Sequence, residues 1–348
     1  MSRCGRFDRR YCTKIYLVFD MYELAIGAIL LALFFDFVNG FHDAANSIAT
    51  VVGTRVLRPL QAVSLAAIAN FVGPFVFGVA VATTIGKGII NPDFVTIYII
   101  IGALVGAIIW DIITWLLGLP ASSSHALVGG VLGAGIAGAG MHAVILGGLE
   151  KIAIGIIVSP VVGFVTAFLL ATLLITLFAR KRPSKVNSVF GRLQLISSTY
   201  FSLTHGANDG QKTMGIIALI LLTEGVITSF EVPFYVILIA ALAISLGTFF
   251  GGWRIVKTMA LKITQLKPYQ GFAAETGGAS ILAVLAHFGI PASTTHAISG
   301  AIMGAGAVKR VSAVRWGIGK RIVWAWIITI PASAAVAYIS TLIIHAFV

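Results

Sequence analysis

Charge is what this chain has least of. Only 10% of its 348 residues are Asp, Glu, Lys or Arg, while 58% are hydrophobic. Soluble domains carry about 25% charged residues to keep their surfaces wet, so a soluble globular fold is excluded and a polytopic membrane protein is expected. Cysteine is nearly absent. Cys4 and Cys12 both lie near the N-terminus, which rules out a disulfide or thiolate-metal framework and leaves the redox compartment unreadable. The strict alternation of barrel strands is missing too. Continuous apolar runs at 24–35, 94–110, 152–178 and 232–250 approach or exceed the roughly 20 residues of a spanning helix. The charge that is present is mostly positive, +12 net, but it sits in connecting segments as the positive-inside rule dictates. No soluble basic module with interleaved aromatics exists, and nucleic acid is discounted as a partner.

Two polar motifs occur twice in the same order. Gly40-Phe41-His42-Asp43-Ala44-Ala45-Asn46-Ser47 pairs with Gly206-Ala207-Asn208-Asp209-Gly210-Gln211-Lys212-Thr213, a shift of 166 from Gly40 to Gly206. Pro120-Ala121-Ser122-Ser123-Ser124-His125 pairs with Pro291-Ala292-Ser293-Thr294-Thr295-His296, a shift of 171 from Pro120 to Pro291. Such recurrence predicts an internal duplication. The expected layout is a basic tail at 1–20, a first membrane repeat at 21–180, a basic cytoplasmic linker at 181–192 and a second repeat at 193–348. Met21 opens a better membrane segment than Met1, so the tail reads as soluble or as an upstream extension of the reading frame. Within the first repeat the sequence predicts a polar break at 39–47, a helix from Pro59 to about Ile85, another from Asp93 to Leu117, and one span or a pair bent at Pro160 over 141–179. An odd number of spans per half makes the two halves insert in opposite senses. A basic tail and a basic linker cannot then share one side, and the linker is the better guide.

Five acids, Asp36, Asp43, Asp111, Asp209 and Glu275, fall inside apolar stretches, where an ionised carboxylate costs about 2.5–3.5 kcal/mol. Asp36 and Asp111 read equally well as carboxylates snorkelling near a helix end or hydrogen-bonded within the bundle. Asp43 and Asp209 hold equivalent positions, each three residues after a glycine that could open the helix. Opened backbone, two carboxylates and the amides of Asn46 and Asn208 make an all-oxygen site suited to Na⁺ rather than a transition metal. The hydroxyl clusters at Ser122, Ser123, Ser124 and at Ser293, Thr294, Thr295 follow prolines that start helices, so their free amides and positive dipole ends suit an anion. Surface caps are the plain alternative; two matching copies favour re-entrant hairpin tips. Lys212, three residues after Asp209, supplies an intramembrane cation or a structural ion pair. His125 and His296 read as packed histidines, with a proton relay as the alternative. A carboxylate beside the substrate accepts a hydrogen bond only from an oxyanion that is still protonated, which favours phosphate over sulfate.

The four motifs together, in order and spanning nearly everything from Met21 on, resemble the duplicated signatures of the inorganic phosphate transporter (PiT) family. That resemblance implies an all-α polytopic membrane protein of two inverted-topology repeats with broken helices and re-entrant hairpins, working in the cell membrane as a homodimer. It implies a secondary active, non-enzymatic importer of phosphate with no cofactor and with Na⁺ as coupling ion. Phosphate would be held by Asp43, Asn46, Ser122, Ser123, Ser124, Asn208, Asp209, Lys212, Ser293, Thr294 and Thr295, and Na⁺ by Asp43, Asn46, Asn208, Asp209 and Glu275. Phe41-His42 stands where many members read Ala-Asn, so the first half lacks one amide oxygen for symmetric cation coordination; members differ in using Na⁺ or H⁺, and the histidines keep H⁺ coupling, or carriage of a metal phosphate, as the alternative. An intramembrane serine hydrolase using Ser122 or Ser293 with His125 or His296, and a passive anion channel, are the readings from other classes.

Overall fold

The computed structural model describes residues 9–347, with side chains from Glu23 onward. The described chain is helical throughout: α1 (Arg9–Gly53), α2 (Pro59–Phe77), α3 (Ala80–Lys87), α4 (Ile97–Leu117), α5 (Ser123–Ala139), α6 (Leu146–Leu177), α7 (Pro183–Thr223), α8 (Phe234–Phe250), α9 (Trp253–Lys257), α10 (Pro268–His287), α11 (Thr294–Ala307) and α12 (Trp316–Phe347). Residues 1–8 of the expected tail lie outside the described residues.

Local sequence sets the helix ends. Pro59, Pro183 and Pro268 open α2, α7 and α10, where a missing N–H costs nothing. Gly118, at φ 63°, closes α4 in the left-handed region that side chains with a Cβ avoid. Among the described residues five helices are long and apolar enough to cross a bilayer, six if α8 and the bent segment after it count as one span. Leu169, Leu173 and Leu177 of α6 and Trp324, Ile327 and Ile343 of α12 face outward, as membrane-facing side chains do.

Two helical hairpins enter this bundle from opposite ends of α6. The α4–α5 hairpin opens where Asn91 bonds Ala143, Ile145 bonds Ile89 and Gly148 of α6 meets Gly88. The α10–α11 hairpin opens beyond the other end of α6, where Lys181, Lys267, Tyr269 and Lys309 share a groove with Leu174 and Phe178. Their tips, 118–122 and 289–293, point inward between the long helices.

Helix partners exchange between the halves: α1 packs on α8 while α2 packs on α7, and α5 packs on α12 while α11 packs on α6. Glycine makes these crossings possible. A Cβ on Gly40 would strike the Ile244 carbonyl, and one on Gly206 the Asn70 carbonyl; Gly73 sits against Leu203 and Ala207, and Gly247 against Phe37 and Phe41. Phe37, Gly40 and Phe41 each correspond to Leu203, Gly206 and Ala207 at the same shift of 166, so the crossing is built twice.

Here the structure corrects the expectation of helices opened at the motif glycines. α1 runs unbroken through 39–47 and α7 through 206–213. Gly40 and Gly206 serve close backbone approach, and an opened turn there would orphan amides that no water reaches. The breaks fall elsewhere. The helix expected from Pro59 to about Ile85 divides at Gly78 (φ 76°) into α2 and α3, and the second half divides at Gly251 (φ 67°), where α8 and the following segment Trp253–Lys262 meet at 56°. Pro160 does not divide α6; the Ile156 carbonyl that it frees lies 3.4 Å from His296 Nδ1. The expected linker is mostly helix, because α7 starts at Pro183.

Candidate functional site

Both hairpin tips meet the middle of α1 and α7, and nothing at the meeting point reaches solvent: Asp43, Asn46, Asp209, Lys212 and all six tip hydroxyl residues are no more than 4% exposed. Ser122 and Ser293 cap α5 and α11, their hydroxyls accepting the backbone N–H of His125 (3.3 Å) and His296 (3.2 Å). Of the next two hydroxyls of each tip, Ser123, Thr294 and Thr295 turn toward the acids, and Ser124 turns to Lys212. Ser123 donates to Asp43 Oδ1 at 3.4 Å, Thr295 to Asp43 Oδ2 at 3.3 Å, and Thr294 to Asp209 Oδ2 at 3.2 Å.

The halves grip each other crosswise. Asn46 of the first half donates from Nδ2 to Thr294 (3.1 Å) and Thr295 (2.9 Å) of the second. Lys212, at the equivalent position of the second half, donates to Ser124 of the first and to its own Asp209. Each acid also has an imidazole. His42 bridges Asp43 (2.6 Å) and Thr114 (3.0 Å). His205 contacts Asn70 Oδ1 at 3.1 Å through Nδ1, and its Nε2 stands 3.2 Å from Asp209 Oδ2 without hydrogen-bond alignment.

Chemically this is a place for ions. Ligand atoms of Asp43, His205 and Asp209 lie within 4.8 Å of one another. Asn46 Oδ1 and Asn208 Oδ1 are buried and have no hydrogen-bond partner among the described residues. The first amides of α5 and α11 remain for an anion, since each capping hydroxyl satisfies only one of the unpaired donors of its helix.

The sequence pattern of the "Phosphate transporter family" matches residues 39–337, a stretch that holds all four motifs and both hairpins. The chain belongs to this family. Named relatives agree: the "Probable low-affinity inorganic phosphate transporter" of Rhizobium meliloti (strain 1021) is 55% identical over 317 residues, covering 91% of this chain and 95% of that protein. The protein of the same name in Bacillus subtilis (strain 168) is 43% identical over 325 residues, covering 92% and 97%. A solved structure named "The sodium-dependent phosphate transporter" superposes with a TM-score of 0.84 at 27% identity, covering 94% of this chain and 100% of that one.

Set against the expected site of a phosphate transporter, the structure gathers Asp43, Asn46, Ser123, Ser124, Asp209, Lys212, Thr294 and Thr295 into one network, with Ser122 and Ser293 behind it as caps. Asn208 turns its Nδ2 away to the carbonyls of Thr204 (2.9 Å) and Leu282 (3.4 Å). Glu275 has its own set of partners. It accepts hydrogen bonds from Thr50 (2.5 Å), Gln194 (2.9 Å) and Ser197. Thr50 lies seven residues beyond Asp43 on α1, about 10 Å along the axis, so this carboxylate forms a second polar station.

His205 and the partners of Glu275 escaped the sequence reading. His205 carries a signal, four residues before Asp209 on one helix face. Thr50, Gln194 and Ser197 carry none. Asp36 and Asp111 are fully buried, and their oxygens have no hydrogen-bond partner. The hydrolase reading fails on geometry as well as on family: the hydroxyls of Ser122 and Ser293 are occupied by backbone amides, and His125 Nδ1 and His296 Nε2 have no partner.

Proposed function

We propose that the chain imports inorganic phosphate together with Na⁺ by alternating access, its two halves forming inverted-topology repeats. The observation that carries this reading is the crosswise grip, in which Asn46 holds the Thr294–Thr295 tip and Lys212 holds the Ser124 tip. Hairpins that enter from opposite ends and are latched by the opposite half suit two gates, one for each side. Phosphate would take the place of the present hydroxyl–carboxylate bonds, set between the α5 and α11 N-termini with Lys212 as counter-charge.

Charge explains the need for a coupled cation. Asp43, Asp209 and Lys212 sum to one negative charge, and hydrogenphosphate adds about two more at neutral pH. Burying that excess without counter-ions costs several kcal/mol per ion, so cations should enter with the substrate. Asp43, Asp209, Asn46 Oδ1 and Asn208 Oδ1 offer Na⁺ hard oxygens, and Glu275 with Thr50 and Ser197 offers a separate holding point. The neighbour named as sodium-dependent supports Na⁺. The imidazoles of His42 and His205 beside the two acids favour H⁺ as the second reading. Assembly as a homodimer in the cell membrane is proposed with it.

Uptake of labelled phosphate into proteoliposomes separates the two readings. An inward Na⁺ gradient is expected to drive accumulation at constant pH, and Asp209→Asn is expected to abolish it in protein that still folds. Accumulation driven equally by a proton gradient without Na⁺ would reject the Na⁺ assignment.

A further inference from the structure

An apolar slot of about 570 Å³ opens on the flank of the second half between α6, α11 and α12, walled by Val161, Val165, Met303, Val323, Ile327 and Ile330. That volume lies within the ~300–1,000 Å³ of small-molecule sites. The slot has two unlike ends. At its inner end the Trp326 ring stacks on His296, with centroids 3.8 Å apart. From there α11 and α12 run antiparallel, Met303 lying against Gly319 near the start of α12. The stripe of α12 that walls the slot, Val323, Ile327 and Ile330, continues one turn back to Lys320 at helical spacing. Lys320 and its neighbour Arg321 are exposed, and among the described residues neither has an acidic partner.

An apolar channel with cations at its outer end matches an amphiphile with an anionic head and a long apolar tail. We propose that this slot binds an anionic phospholipid, one acyl chain lying between α6, α11 and α12 and the head-group phosphate held by Lys320 with Arg321. The outward faces of α6 and α12 are the lipid-exposed ones, so such a molecule reaches the slot from the membrane plane. The bound tail ends against the Trp326–His296 stack. Trp326 Nε1 donates to the Pro120 carbonyl of the first tip (3.1 Å), and His296 follows Thr295, the second-tip hydroxyl on Asp43. An occupied slot therefore braces both tips from outside the ion site.

Native mass spectrometry of the purified full chain, titrated with phosphatidylglycerol or with phosphatidylcholine, tests the site. Phosphatidylglycerol is expected to remain bound preferentially, and Lys320→Gln combined with Arg321→Gln is expected to weaken its retention about tenfold. Val161→Trp, which fills the slot and leaves the cations in place, is expected to remove it. Equal retention of both lipids would overturn the proposal, as would phosphatidylglycerol binding unchanged in the surface double variant. A dimer that Val161→Trp dissociates, with no lipid retained by the native chain, would assign the slot to a second copy instead. The readout is lipid mass, so its failure is distinct from failure of the phosphate and Na⁺ reading.

Discussion

Asn46 and Lys212 occupy one position of the duplicated motif, yet only one of them is charged. Lys212 is fully buried against Asp209 and Ser124. Lys212→Met would strip the buried Asp209 carboxylate of its ammonium partner and should cost about 3–5 kcal/mol, measured as a large fall in melting temperature in detergent together with loss of phosphate uptake. Asn46→Ala removes two neutral hydrogen bonds worth about 1 kcal/mol each; it should reduce uptake roughly tenfold with a smaller change in melting temperature. If the two variants proved equally unstable, the electrostatic distinction between the halves would be wrong. The acids, amides and hydroxyls of this network were legible in the sequence because recurrence marked them. The neighbours of Glu275 were not, since Thr50, Gln194 and Ser197 are common side chains on α1 and α7 with no spacing that links them to α10.

At the scale of helices, glycine misled the sequence reading in an instructive way. A glycine three residues before an intramembrane acid suggests an opened turn; only packing reveals that the missing Cβ is needed for a neighbouring backbone. Gly73→Val and Gly247→Val should therefore prevent assembly of the α2–α7 and α1–α8 crossings, seen as loss of monodisperse protein in size-exclusion chromatography. Gly27, with nothing within 4 Å of an added Cβ, is the control. Gly27→Ala should be neutral or stabilising by about 0.5–1 kcal/mol. The hairpin tips were legible, because proline followed by hydroxyls signals a helix start wherever it lies. The true breaks at Gly78 and Gly251 were hidden among many other glycines and emerge only from the positive φ there.

Across the whole molecule, charge separates by end. Arg55, Arg58, Lys181, Lys267, Lys309 and Arg315 gather where α6 finishes and α7 begins, whereas Lys87 and Lys151 at the far end are accompanied by Asp93, Glu150 and Glu231. By the positive-inside rule the first group is expected on the cytoplasmic side. In a chain with Cys4 and Cys12 replaced, a cysteine at position 309 should react with a membrane-impermeant maleimide only from the cytoplasmic side, and one at position 87 only from the other. Reversed labelling would invert the orientation. In the sequence the basic linker alone carries this expectation. The path of the two hairpins was not, because it depends on which ends come together in space.

The glycine crossings have a mechanical consequence. Where the bare main chain of Gly40, Gly73, Gly206 or Gly247 lies against a neighbouring backbone, the glycine offers no side-chain ridge to interlock, so one rod can tilt over the other with fewer teeth to unmesh. These contacts form two smooth bearings, one where α1 crosses α8 and one where α2 crosses α7, and any swivel of the halves would turn on them.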